Sequence, residues 1–263
     1  MREANNNNNN DGMYESLFFV LSNTDRLKIL GELNERRRRL TECARLIQST
    51  TQECSRHLQK LHEESLIEKD QAGYYNLTPF GSMILRLSEG LIFATKYRSI
   101  FMTHNMSYLP NGFVERLVDL RNGLFVENVS LVLRYIEQTI HQAKEFLWLM
   151  SDQPIITGET IVDSTIHKNI PVRLITADVV DQRELSILKD RLGSRVEIGT
   201  MNVVPIAMAM NEEMSGFCLP DLEGKIDFRM GFAGSDEDFK KWCYDLYQYY
   251  WERSRRLAIF EEK

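Results

Sequence analysis

No run of about 18 apolar residues occurs in this chain, which argues against a membrane-spanning helix. The longest apolar stretch, Val203 to Met210, has only the length of a strand. The start of the sequence lacks the charged-then-apolar pattern of a secretion signal, so a cytoplasmic protein with no membrane partner is expected. Cysteine is scarce: Cys43, Cys54, Cys218 and Cys243 share no CxxC spacing. That excludes a ribbon-type zinc site and a disulfide framework, and no metal or cofactor is expected. GxSxG, P-loop, HExxH and dinucleotide-binding glycine patterns are all missing, so no catalytic residues are assigned and an enzyme is not expected. A basic excess is missing too, because the net charge is −6. The acidic surplus lies mostly in the C-terminal two thirds: residues 1–90 carry 12 Lys/Arg against 13 Asp/Glu, and the remainder 20 against 25.

What is present is an ordinary globular composition, 43% hydrophobic and 27% charged over 263 residues, enough for two domains. Residues 1–12, with six asparagines at Asn5–Asn10, have almost nothing apolar to bury and are expected to form a disordered tail. Apolar spacing predicts helices over Met13–Leu21 and Asp25–Asn34, with Ser22, Asn23 and Thr24 as turn or cap candidates. A run of four arginines, Arg36, Arg37, Arg38 and Arg39, follows. It is read either as a solvated loop or as a phosphate clamp.

Residues 40–81, LTECARLIQSTTQECSRHLQKLHEESLIEKDQAGYYNLTPFG, read as helix, tight turn, second helix and hairpin. Leu40, Ala44 and Ile47 face inward on the first helix, and Thr41 is a candidate cap. Gln48 to Thr50 make the turn. On the second helix, Thr51 to about Ser65, Cys54, Leu58 and Leu61 recur at four and three residues and so face the core. Gln52, Ser55, Arg56 and Gln59 fall on the opposite face, where Arg suits guanine and Gln suits adenine. Lys60 and His62 are better placed for phosphate, and Thr51 at the helix start is a further DNA-binding candidate. The hairpin tip is Asp70-Gln71-Ala72-Gly73, and Gln71 and Tyr75 complete the candidate DNA-binding set. This layout is a winged helix-turn-helix, whose second helix fits the major groove of double-stranded DNA. From Pro79 an apolar stripe of Phe80, Met83, Ile84, Leu87, Leu91 and Phe93 marks a connecting helix suited to packing on a second domain or a second copy.

Beyond it, helix-like and strand-like runs alternate, predicting an α/β or α+β domain around one sheet. Helices are expected at Val129–Lys144, Gly158–His167, Glu184–Leu192 and Asp236–Arg256, the last capped by Ser235. Strands are expected at Phe146–Met150, Val172–Ala177, Val196–Thr200, Pro205–Met210, Ser215–Leu219 and Phe228–Phe232. The resulting division is a tail at 1–12, a winged-helix domain at 13–80, a connecting helix at 81–105 and a regulatory, dimerising α/β domain at 106–263.

The segment around GYYNLTPFG resembles archaeal members of the ArsR-like winged-helix class. Leu109-Pro110, Ala143-Lys144-Glu145 leading into FLWLMSD, IPVRLI, and GFAGSDEDFKKW running into YYWERS resemble the regulatory domain of methanogen transcription regulators, including the filament-formation type. Together the likeness spans nearly all of residues 13–258. It implies an archaeal regulator that binds DNA as a dimer and senses a small molecule. Two positions depart from that pattern: Gln48-Ser49 stands where a glycine is common, and Ser65 where many relatives have glycine before Leu66-Ile67. The second half also resembles the phospholipase-D-like fold, but His167 and Lys168 are adjacent rather than separated by the one residue that an active member requires.

Candidate effector-binding residues are the flexible and aromatic apolar side chains Tyr108, Trp148, Met150, Met201, Met208, Met210, Met214 and Phe217, suited to an acyl chain. Arg173, charged in mid-strand, would meet a ligand carboxylate or phosphate, or pair with an acid such as Asp152. The expected function is a homodimeric transcription regulator whose operator binding a small effector modulates. The alternatives are a degenerate hydrolase tethered to DNA, a second domain that only dimerises, and redox control through Cys43 or Cys54.

Overall fold

A computed structural model describes residues 5–153, 158–179 and 182–257. The chain forms two compact units, Met1–Ile92 and Phe93–Lys263.

The N-terminal unit begins with α1 (Asn5–Leu21) and α2 (Thr24–Glu35). Residues 5–12 are thus helical where a disordered tail was expected, and residues 1–4 lie outside the described residues. Extending a formed helix costs far less than nucleating one, so a run of poor helix formers can ride on the apolar turns that follow it. Asn23 caps α2, its Oδ1 accepting from the N–H groups of Asp25 and Arg26 at 3.1 and 3.0 Å. Arg26 is buried and donates to the carbonyls of Val20 and Phe19, both at 2.7 Å, which satisfies the open C-terminal end of α1.

Next come β1 (Arg38–Arg39), α3 (Leu40–Leu46) and α4 (Thr51–Glu63). Thr41, expected as a cap, lies inside α3. The N-terminal contact is made by the Glu42 carboxylate, which accepts from the Arg39 N–H at 2.8 Å. β2 (Ile67–Lys69) and β3 (Tyr74–Leu77) form the hairpin, and β1 joins it in the order β1-β3-β2, all antiparallel. The arginine run is therefore partly an edge strand rather than a loop. Ile29, Leu30, Cys43, Ala44, Cys54, Leu58, Leu61, Leu66 and Ile67 make one buried core under these elements.

Gln48, in the Gln48-Ser49 turn, and Ser65 both adopt left-handed backbone, with φ of 54° and 58°. Gly81, near the start of α5 (Pro79–Lys96), answers a different constraint. A Cβ there would lie 1.9 Å from the Leu66 carbonyl oxygen, so the helix reaches the hairpin only through a bare backbone.

The C-terminal unit continues with α6 (Arg98–Thr103), α7 (Asn111–Val114), β4 (Leu124–Val126) and α8 (Val129–Gln142). The expected connecting helix at 81–105 is thus two helices broken at Tyr97. β5 (Leu147–Ser151), α9 (Gly158–Thr165), β6 (Val172–Ala177), α10 (Gln182–Leu192) and β7 (Val196–Met201) alternate, and β5, β6 and β7 pair in parallel. β8 (Ala207–Met210), β9 (Ser215–Cys218), β10 (Gly231–Gly234), α11 (Glu237–Arg253) and β11 (Arg255–Arg256) complete a mixed eight-stranded sheet, ordered β11-β7-β6-β5-β8-β9-β10-β4. The fold is therefore mixed α/β.

Two expected boundaries move. β10 starts at Gly231 rather than Phe228, because Asp227 accepts from the Arg229 N–H at 2.9 Å and grips its guanidinium, closing a turn over those residues. Asp236, not Ser235, caps α11, accepting from the Asp238 and Phe239 N–H groups at 3.2 and 3.4 Å.

The two backbone constraints have opposite consequences. Ser65→Gly relieves left-handed strain and should raise the unfolding free energy by about 0.5–1 kcal/mol. Gly81→Ala forces atoms together and should lower it by about 1–3 kcal/mol. Urea unfolding followed by circular dichroism reads both; equal signs would contradict this account of residues 65 and 81.

Candidate nucleic-acid interface

The N-terminal unit presents one helix with two chemically distinct faces. On α4, Cys54, Leu58 and Leu61 are fully buried, while Thr51, Gln52, Ser55, Arg56, Gln59 and Lys60 are exposed. Thr50 caps the helix, its hydroxyl accepting from the Glu53 N–H at 3.2 Å. Glu53 in the first turn and Lys60 and His62 in the last complement the helix dipole. Gln59 donates to Glu63 at 2.9 Å, and the Lys60 ammonium sits 5.4 Å from the Phe19 ring centroid, leaving Gln52, Ser55 and Arg56 as the uncommitted polar positions among those chosen on this face. His62 Nδ1 lies 3.0 Å from the Ile67 carbonyl oxygen.

The four arginines are not equivalent. Arg38 is half-buried against Glu32, which also takes Arg36 at 3.2 Å, and Arg38 reaches Glu42 at 3.2 Å as well. Hydrogen bonds from Arg38 and then Arg36 hold the Glu32 carboxyl below its ordinary range. Arg37 and Arg39 are exposed and lie over the Tyr74 ring, each 4.6 Å from its centroid. Arg37 also comes within 3.7 Å of Asp70. Gln71 is exposed at the hairpin tip, and Tyr75 is half-buried with Lys69 over its ring. Arg36 and Arg38 are therefore drawn into an acidic network, whereas Arg37 and Arg39 lie exposed beside the hairpin.

The effector candidates of the second unit separate onto different surfaces. Trp148, Met150, Met208, Met210 and Phe217 belong to the cluster that includes α11 residues Phe239, Trp242 and Tyr247. Trp148 stacks on Tyr247 at 5.0 Å. Arg173 lies between the indoles of Trp148 and Trp251, at 4.9 and 5.1 Å, and donates to Glu197 at 2.7 Å. Its acid partner is thus the residue beside it on β7, not Asp152. Met201 borders an open cleft with Asp178, Arg253 and Arg255, and the Tyr108 carbonyl accepts from the Tyr250 hydroxyl.

A cavity of about 100 Å³ lies within this unit, bordered by α8, α9, α10 and the sheet. Leu149 and Ala209 belong to the core cluster of that helical side, with Ile161, Leu185 and Leu188. Strand alternation places Ala207, Gly216, Gly231 and Ala233 on the same sheet face as Ala209, and Met150, Met208 and Phe217 on the other. Met150, Met208, Met214 and Phe217 border the cavity, but its floor on the antiparallel strands is made of small side chains, which methionine and aromatic content does not reveal. The missed signal was a succession of small residues in AMAM, SGFC and GFAG.

His167 and Lys168 lie in the turn after α9, where Lys168 donates to the His141 carbonyl at 2.5 Å. Among the described residues, no group of three or more His, Cys, Asp or Glu is placed to hold a metal ion. Among the described residues, no helix is long and apolar enough to cross a membrane.

Cys43 and Cys54 are buried, and burial pushes their thiols up to about 12 and about 11. Neither forms the low-pKa, exposed thiolate that redox control requires. Iodoacetamide at neutral pH should leave both unmodified in the folded protein and label both after denaturation. Rapid alkylation of either under native conditions, read by mass spectrometry, would contradict this.

No protein-family model and no curated protein matches the sequence. Among solved structures the chain is similar to TrmBL2, described as an archaeal chromatin protein with a novel mode of DNA binding, at 14% identity over 94% of this chain and 99% of that one, with a TM-score of 0.43. It is also similar to N,N-8-amino-8-demethyl-D-riboflavin dimethyltransferase (RosA) from Streptomyces davawensis, at 12% identity over 76% and 67% of the two chains, TM-score 0.32. An IclR homolog from Microbacterium sp. strain HM58-2 aligns at 11% identity over 90% and 94%, TM-score 0.21. At these identities and scores none of the three carries an argument about what this chain does.

Proposed function

We propose that this chain is a sequence-specific DNA-binding transcription regulator. Its N-terminal unit acts as a winged helix-turn-helix, it works as a homodimer, and its C-terminal unit takes a small-molecule effector. The observation that carries the reading is the division of α4 into a fully buried face and a face of Gln52, Ser55 and Arg56 open to solvent. A helix anchored on one side and offering Arg and Gln on the other suits base edges in a major groove. Arg37 and Arg39, oriented by Tyr74, are suited to backbone phosphate flanking that groove. Lys60 would join them.

Homodimerisation is supported by α5, which exposes Phe80, Met83 and Leu87 by 42%, 50% and 66% along one helical stripe. Apolar residues recurring this way on an exposed helix mark an interaction surface. The effector role is supported by the apolar cavity, which a purely dimerising domain would not need. An apolar body such as a short acyl group suits its walls. Arg173, committed to Glu197 and two indoles, is not placed to receive a ligand carboxylate. Regulation then requires that the effector bind the DNA-competent and DNA-incompetent arrangements with different affinity.

Selection of binding sites from a random duplex pool tests the proposal. Wild-type protein should enrich a defined sequence carrying two inverted half-sites. Arg56→Ala should lose about 1–3 kcal/mol on that sequence while non-specific duplex binding stays nearly unchanged. Enrichment of no sequence, or equal losses on both duplexes, would overturn the reading of α4 as a base reader.

A further inference from the structure

The cavity of the C-terminal unit restricts what can occupy it. Among the described residues, its border contains members of β5, β6, β8, β9 and β10 and of three helices, and none of these is Asp, Glu, Lys, Arg or His. The Cys218 thiol beside it is pushed up to about 12 by burial and is therefore neutral. A carboxylate or phosphate entering such a space would lose its hydration with no cation to replace it, a cost of several kcal/mol. The same holds for an ammonium.

The polar groups that do border the cavity are neutral, and several gather at one end. Ser151 and Thr176 are register partners at the carboxyl ends of the parallel strands β5 and β6, and Gln153 stands two residues beyond Ser151, past Asp152, which does not border the cavity. In open α/β sheets this is the end at which ligands bind. Ser151 Oγ is already engaged, donating to the Gln153 carbonyl at 2.9 Å and accepting from its N–H at 3.2 Å. Thr139, on α8, is spent as well, donating to the Tyr135 carbonyl at 2.8 Å. Thr176, buried on the cavity face of β6, supplies the remaining hydroxyl of this end. Toward the antiparallel strands the floor is Ala207, Ala209, Gly216 and Ala233. The cavity is thus apolar over most of its wall with an uncharged polar end.

We infer that it binds a small uncharged molecule, its apolar body over the alanine–glycine floor and one hydroxyl or carbonyl oxygen at Thr176. A volume of about 100 Å³ is two thirds of the about 150 Å³ of an engineered apolar cavity that holds benzene, so it limits that body to at most a single small ring. The inference deepens the effector reading above and rests on it. It is tested on the free protein without DNA, so its failure and the failure of operator binding are separately visible.

The probes are phenol, benzene and benzoate, titrated into the full chain carrying ¹³C-labelled isoleucine methyl groups and followed at Ile136 and Ile161, which border the cavity. Phenol and benzene should shift these methyl signals saturably, and benzoate should bind at least about tenfold more weakly. Thr176→Val, which keeps the side-chain shape, should bring phenol down to the affinity of benzene and leave benzene unchanged. Ala209→Leu, with its fold checked by circular dichroism, should abolish binding of both; if that variant does not fold, Thr176→Val decides alone. Benzoate binding as tightly as phenol, an unchanged phenol affinity in Thr176→Val, or no saturable shift with either neutral probe would overturn the inference.

Discussion

Burial of Cys54, Leu58 and Leu61 against the α2, α3 and hairpin core fixes which side of α4 the solvent sees. Each leucine removed from water contributes about 1.5–3 kcal/mol, so rotating the helix by one residue would expose side chains that stabilise the whole unit. The polar side chains are oriented as a consequence. Gln52, Ser55 and Arg56 need no contacts of their own to point outward. The left-handed turn at Gln48 and the second one at Ser65 bring the chain into and out of α4 without lengthening it, and the bare backbone at Gly81 lets the following helix close against the Leu66 carbonyl. Strain at two residues and the lack of a side chain at a third are the local costs of holding one helix in one orientation.

In the second unit the same role falls to strand alternation. One face of the sheet carries Trp148, Met150, Met208 and Phe217 into the aromatic cluster with α11; the other carries Leu149, Ala209, Gly216 and Ala233 toward α8, α9 and α10. Large side chains fill the first interface and small ones leave space at the second. Charge is managed similarly. Arg173 sits between two indoles and pairs with Glu197 across the parallel register, so its presence in mid-strand stabilises an edge of the aromatic layer.

Much of the N-terminal fold is legible in sequence because its signals are local. The spacing of Cys54, Leu58 and Leu61 defines a helical face, and Asp70 with Gly73 defines a tight tip, closed in the structure by Asp70 accepting from the Tyr74 N–H at 2.8 Å. The two-residue strand Arg38–Arg39 was not legible, since it has no apolar alternation and exists only by pairing with Tyr74 and Tyr75. Nor did the arginine run reveal which members are neutralised, because Glu32 meets Arg38 through folding. The effector candidates show the limit most clearly. Counting methionine and aromatic residues locates a rich apolar core, but only the register tells which face each side chain joins. The cavity floor, built from residues conspicuous for what they lack, is a property of three neighbouring strands together.

The proposed role of α4 places its open face in the DNA groove. Hydroxyl-radical footprinting of the protein, free and bound to a duplex selected from a random pool, tests it directly. Protection should concentrate on residues 51–63 and on Arg37, Arg39 and the hairpin tip, with α10 and its neighbours unaffected. Protection confined to the C-terminal unit, with Arg56 and Gln52 as reactive in the complex as in the free protein, would contradict it.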